Sequence, residues 1–254
     1  MLHHGLEAPQ RAGSNHVFTF DIAHWRAWAP GLASVQDWQR WSAAPEVAAD
    51  GEGAPDVSFL PAMQRRRLSR LARMAFHVAW PLAEGYDRLP FIFVSRHGET
   101  PRTFELLTEL ARGEPLSPTH FSLSVHNAVI GLWSILRGQT CEMAALAAEG
   151  DGLEHGLLEA CALLAEGAPA VLLVVAEEQP PQAYGQWVND VPFPYALGLL
   201  ITPGQRCQLS LGHAPATAPA ALPHALSLLQ ALAGAHPHLH HCWKHRAWNW
   251  QLTH

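Results

Sequence analysis

Seven consecutive residues at 170–176, AVLLVVA, contain no polar position. A strand with one wet face alternates; one without a polar position is covered on both sides, which calls for a layered α/β architecture. The residues before it agree. Leu153, Leu157, Cys161 and Leu164 recur at helical spacing, and Gly167-Ala168-Pro169 ends that helix just before the strand. Further upstream, Val125, Val129, Leu132, Trp133 and Leu136 keep the helical period across 122–136. Arg137-Gly138-Gln139 breaks it, and Glu149-Gly150-Asp151-Gly152 is a tight polar turn. Residues 118–178 therefore predict a helix, a turn, a short apolar strand, a helix and a buried strand.

The flanks extend the pattern. Residues 17–22 alternate and predict the first strand. Trp25, Trp28, Trp38 and Trp41 follow in a Trp-rich loop, which predicts packing against the sheet edge rather than ligand stacking. Residues 43–55 read as a surface loop. Residues 60–80 predict one long helix that buries Leu68, Leu71, Met74, Ala75 and Val78 and turns Arg65, Arg66, Arg67, Arg70 and Arg73 outward. A buried strand at 89–95, the turn Arg96-His97-Gly98-Glu99 and a helix at 103–111 come next. Later, 196–202 and 206–211 flank Pro203-Gly204-Gln205 and predict a hairpin, and 220–232 a last amphipathic helix.

The end of the chain differs in composition. His236, His238, His240, His241, Cys242 and His245 look like metal ligands, but no second ligand group accompanies them, so no metal is expected. Trp243, Trp248 and Trp250 predict that this tail packs onto the protein or a partner. Charge excludes other classes. With a net charge of -6 and no sustained basic block, nucleic acid is not an expected partner. Arg65-Arg66-Arg67 is the one dense cationic spot; it reads as a helix flank, with docking of an acidic carrier protein as the alternative. No segment reaches the roughly 20 apolar residues of a membrane helix, and no secretory signal is visible. Four cysteines without CxxC spacing predict reduced thiols in a cytoplasmic protein.

The order of these elements resembles the N-terminal half of the β-ketoacyl synthases, members of the thiolase-like condensing enzymes. His126-Asn127-Ala128-Val129-Ile130-Gly131 is similar to that family's first helix with its small-residue face. Residues 153–165 are similar to the helix behind the nucleophile elbow, and 171–175 to the next strand. RHGETPRTFELL at 96–107, followed by SPTHFSLSVHNAVIG at 117–131, resembles the short ketosynthase-like proteins of aryl polyene pathways. The resemblance implies an α/β, thiolase-like fold: a single N-terminal half with a mixed central sheet covered by helices. It implies one truncated domain over 1–254, with a core at about 17–232, a leader at 1–16 and a His/Trp-rich tail at 233–254.

At the elbow, the family's Cys falls on Glu149 or Gly150, and neither is a thiol or hydroxyl. Condensation needs a nucleophile that holds the acyl chain as a thioester; a carboxylate would form an unstable anhydride instead. After Glu178 no HGTGT-like turn or NFGFGG-like loop supplies the two histidines of a second half, for which the remaining chain is too short. The implied function is that of a chain length factor without catalytic residues. It would pair with a catalytic β-ketoacyl synthase as a heterodimer or heterotetramer and meet acyl carrier protein through that complex, with no cofactor. Cys141, Glu142, Met143, Ala144, Ala145, Leu146 and Ala147 would form the interface strand. Trp133, Met143, Leu146, Glu149 and Gly150 would border the chain tunnel, and His126, Asn127 and Gly131 would be structural. The alternative is a self-sufficient acyl-transfer or hydrolytic enzyme using His126 or His97 with a carboxylate such as Glu149 or Asp151.

Overall fold

The computed structural model describes residues 17–45, 53–215 and 222–253; the expected leader and most of the 43–55 loop lie outside them. In chain order the elements are β1 (Val17–Trp28), α1 (Val35–Ala43), α2 (Ala62–Arg65), α3 (Arg70–Leu82), β2 (Phe91–Val94), α4 (Thr100–Ala111), α5 (Pro118–Ser122), α6 (Ala128–Arg137), β3 (Met143–Leu146), α7 (Gly152–Ala165), β4 (Val171–Glu177), β5 (Tyr195–His213), α8 (His224–Gly234), β6 (His238–Trp243) and β7 (Arg246–Leu252).

The strands form one mixed sheet in the order β3-β2-β4-β5-β7-β6, with β1 along the other edge of β5. β2 runs parallel to both β3 and β4, whereas β5 is antiparallel to β4. Every residue of β4 is buried, as its sequence predicts. Val171, Leu173 and Val175 face a core shared with α7, α8 and α1; Leu172, Val174 and Ala176 face one shared with α3 and α6. The α7 helix can lie this close to the sheet because Gly156 has no side chain. A β-carbon there would stand 2.8 Å from both Leu173 Cδ1 and Val94 Cγ2.

Five expectations need correction. The helix expected over 60–80 is two, α2 and α3: Ser69 interrupts it by turning its hydroxyl to accept the Ala72 N–H at 3.0 Å. The helix expected over 122–136 begins only at Ala128, as α6, after the short α5 and a turn in which Ser122 and Ser124 donate their hydroxyls to the carbonyls of Thr119 and Phe121. The Trp-rich loop is ordered structure. Trp25 and Trp28 belong to β1, which runs well past residue 22, and Trp38 and Trp41 are buried on α1. A capping box between Ser34 and Asp37 starts that helix, a device worth about 1 kcal/mol.

The predicted hairpin is instead one 19-residue strand, β5. Pro203-Gly204-Gln205 bulges without reversing the chain, because β1 runs beside both halves: Asp21 pairs with Thr202 and Phe20 with Cys207. The Asp21 carboxylate fills the bulge, accepting the Arg206 backbone N–H at 2.8 Å and its guanidinium at 2.7 Å. On the opposite edge the first half of β5 pairs with β4 and the second with β7. The tail, expected outside the core, supplies β6 and β7. Trp248 and Trp250 are 0% and 1% exposed in the core on the α7 side of the sheet.

Candidate functional site

The carboxyl ends of the parallel strands β2, β3 and β4 converge on a cavity of about 340 Å³. Open α/β sheets bind ligands outside the carboxyl ends of their strands. Val94 and Arg96 line it from the end of β2, Ala148, Glu149 and Gly150 from the turn between β3 and α7, and Val175 and Glu177 from β4. Asp190, Tyr195, His224 and Trp243 close the rest.

The turn before α7 is where the resemblance puts an elbow. Glu149 stands half-exposed and ion-paired: Lys244 Nζ lies 2.6 Å from its carboxylate, and Trp243 Nε1 donates to it at 2.9 Å. Those donors, Lys244 first, hold its carboxyl below the usual range. Trp243 then covers Gly150, where a β-carbon would meet ring carbons at 2.3 Å. Asp151, at the helix start, is buried. Burial alone would raise its pKa, but Arg246, gripping it at 2.5 and 2.9 Å, and the Trp248 indole at 3.0 Å hold it low. The bidentate fork fixes both the turn and the β6–β7 hairpin.

Two further acids flank the cavity. Glu177 accepts the Ser95 hydroxyl at 3.2 Å and the backbone N–H groups of Arg96 and His97. Burial nevertheless dominates and pushes its pKa up to about 7. Asp190 pairs with His97 Nε2 at 2.9 Å and Arg96 at 2.7 Å; these outweigh its own burial and keep it ionised.

Behind the cavity sits Glu154, with no exposed surface. Its two oxygens accept from His224 Nδ1 at 3.0 Å, His241 Nδ1 at 2.8 Å and Trp250 Nε1 at 3.2 Å. These donors overcome burial and keep the carboxylate ionised, whereas burial pushes the His241 pKa down, leaving a neutral ring that donates from Nδ1. Glu154, His224 and His241 are the three groups, among the described residues, whose ligand atoms lie close enough for an ion. The two rings, however, stack at 3.7 Å with their planes 21° apart. An ion bound by both would lie off each ring's lone-pair direction, so the trio as built is a hydrogen-bonded network.

The other sequence-selected residues are dispersed. His126 bonds the Ser95 carbonyl through Nε2 at 2.7 Å, bracing the turn after β2. Asn127 precedes α6 without a side-chain cap, and Gly131 lies within that helix. His97 takes Asp190 as partner, while Asp151 and Glu149 are engaged elsewhere. Trp133 is fully buried on the α3 side of the sheet, away from the cavity, against Phe76, Trp80 and Phe91. Met143, Ala144, Ala145 and Leu146 form the half-buried strand β3, with Cys141, Glu142 and Ala147 beside it. Sequence reasoning named Trp243 and His241 in the tail without placing them at the cavity or on Glu154, and it missed Glu177, Asp190, Glu154 and His224. One signal was present: Glu154 sits beside Leu153 and Leu157 on an otherwise apolar helix face.

The family model described as "Beta-ketoacyl synthase, N-terminal domain" matches residues 38–251. A chain of the "Ketosynthase (ApeO) in Complex with its Chain Length Factor (ApeC)" from Xenorhabdus doucetiae is 31% identical, with a TM-score of 0.81 over 92% of this chain and 99% of that one. The ishigamide ketosynthase/chain length factor has a TM-score of 0.58 at 14% identity, over 86% of this chain and 80% of its own. A β-ketoacyl synthase from Burkholderia phymatum has 0.57 at 12% identity, over 86% and 71%. The last two show the shared thiolase-like fold. A search of curated proteins finds no match.

Proposed function

The chain belongs to the β-ketoacyl synthase family by its N-terminal domain, and from that premise we propose that it is a chain-length-factor subunit without condensing activity of its own. It pairs with an active β-ketoacyl synthase and helps shape the channel for the growing, carrier-bound acyl or polyene chain. The observation that carries this reading is Trp243 over Gly150: the space in which an elbow side chain would stand is filled by an indole. Glu149, the other elbow position, offers an ion-paired carboxylate. The chain also covers 99% of a similar chain whose structure is a ketosynthase bound to its chain length factor. Its four cysteines are all free and, among the described residues, no helix is long and apolar enough to cross a membrane; both fit a cytoplasmic complex.

The partner surface in this reading is the free edge of β3. Its neighbour β2 donates Phe91 and Ser95 N–H groups to the Glu142 and Leu146 carbonyls at 3.0 and 3.1 Å. A residue's own N–H and C=O point to one side of a strand, so those of Met143 and Ala145 face the open edge. An unpaired edge is a template for another strand, and Ile135 on the adjacent α6 is 76% exposed. Co-expression with an active β-ketoacyl synthase from the same organism tests the proposal by solution mass. A stoichiometric complex that Ala145→Pro abolishes, without loss of the lone chain's secondary structure, supports it. A lone chain that ignores the synthase removes it.

The second reading, a self-sufficient hydrolytic or acyl-transfer enzyme, draws on the His97–Asp190 pair at the cavity wall. Catalytic turnover of acyl thioesters by the purified chain, lost in Asp190→Ala, would favour it.

A further inference from the structure

The outer face of the β6–β7 hairpin carries a constellation that the elbow does not use. His240 and Cys242 are two residues apart on β6 and so project from the same face, and Asn249 is the residue opposite His240 on β7. Cys242 Sγ lies 3.2 Å from His240 Nε2, and His240 Nδ1 lies 2.7 Å from Asn249 Oδ1. An amide oxygen only accepts, so Nδ1 carries the ring proton and Nε2 presents its lone pair to the thiol. This is a nucleophile within reach of a base that a third group orients. His240 and Asn249 are exposed, Cys242 is half-buried, and β6 is the last strand of the sheet, so a reagent can approach from solvent.

The other three thiols lack this arrangement. Cys141 is buried and donates to the Leu89 carbonyl at 3.1 Å. Burial pushes the Cys161 thiol up to about 11 and raises that of Cys207 as well. A metal role suits the Cys242 cluster poorly: one sulfur, one imidazole and an amide fall short of the three or four strong donors that zinc takes.

We propose that Cys242 is a nucleophilic thiol, with His240 as its base and Asn249 orienting that base, and that it takes up acyl groups from acyl thioesters. His240 Nε2 accepts the thiol proton as Sγ attacks the carbonyl carbon. The new C–S bond forms as the donor's C–S bond breaks, and the proton on His240 passes to the departing thiolate. One thioester replaces another, so the exchange needs no oxidant, reductant or energy source. The inference is independent of the partner reading, since β6 and β3 lie at opposite ends of the strand order.

The full-length chain as purified is incubated with the N-acetylcysteamine thioester of octanoic acid, and with iodoacetamide in parallel; adducts are located by peptide mass spectrometry. Both reagents are expected to modify Cys242 at least about tenfold faster than the other three cysteines, a modest share of what a positioned base contributes. Acylation at residue 242 should vanish in Cys242→Ser, fall about tenfold or more in His240→Gln, and fall less in Asn249→Ala. All three side chains are at least partly solvent-facing, and circular dichroism checks that each variant folds. Equal rates in His240→Gln and the parent, or acyl groups found first on another cysteine, would overturn the proposal. Alkylation without acylation would overturn the acyl-transfer step.

Discussion

The Trp243 indole closes over Gly150 so tightly that a β-carbon on Gly150 would stand 2.3 Å from ring carbons Cε3 and Cζ3. The ring is not free to swing away. Its Nε1 donates to Glu149 at 2.9 Å, and the Arg96 guanidinium lies 5.9 Å from its centre. Gly150→Ala should therefore cost about 1–3 kcal/mol, the range for overpacking. The same change in a Trp243→Ala background should cost under about 0.5 kcal/mol, because the clash is gone. Urea midpoints of the four proteins measure the coupling, and additive losses would show that the indole does not police this position. Gly150→Cys should likewise fail to give condensation, which a decarboxylative assay with the synthase absent can read.

Glu154 serves three donors for which, among the described residues, no other hydrogen-bond acceptor is seen. Glu154→Gln leaves one oxygen where there were two and places an amide N–H among N–H groups. A loss of about 2–4 kcal/mol is expected, as for one member removed from a buried charged network. His241 Nε2 is already buried without a partner, so the network has little slack. Denaturant unfolding checks this, and a neutral substitution would mean that water replaces the carboxylate.

The proposed partner edge gives a paired test. Proline at 145 removes an N–H that faces the open side of β3, whereas proline at 144 removes one that faces β2. Ala145→Pro should abolish the complex with the synthase while leaving the lone subunit's stability within about 0.5 kcal/mol. Ala144→Pro should destabilise the subunit itself by about 3 kcal/mol. Size-exclusion mass and thermal melts separate the two, and the reverse pattern would put the interface elsewhere.

What the sequence could and could not say follows from where each decision is made. β4 was legible because seven apolar residues in a row admit one environment, and α7 because its period is intact up to the Gly-Ala-Pro stop. Pro203-Gly204-Gln205 carries the same local signal in a hairpin and in a bulge. Asp21, about 185 residues away along the chain, decides between them. In the tail the histidines masked a period-2 pattern that was present: Trp248, Trp250 and Leu252 are buried, and Asn249 and Gln251 between them are exposed. The resemblance puts an elbow at residues 149–150, but Trp243 stands 93 residues beyond Gly150 and no spacing rule links them. Glu154 and its histidines are separated by 70 and 87 residues, so only a charge on an apolar helix face could have hinted at them.

Glu177 makes the last prediction, and its sign can be worked out. Burial raises its pKa from 4.5 to about 7 in the folded protein. Between those values the folded state holds a proton that the unfolded state has released, so this group's contribution to stability falls as pH rises through that window. Glu177→Gln cannot ionise. Relative to the parent it should gain stability steadily from about pH 4.5 to 7 and level off above, by up to about 3 kcal/mol at 1.36 kcal/mol per unit. Taking the difference between the two proteins cancels the titration of the many histidines. Urea unfolding at pH 5, 6, 7 and 8 measures it, and a difference that stays flat across that range would mean that the Ser95, Arg96 and His97 donors keep the carboxylate ionised in spite of its burial.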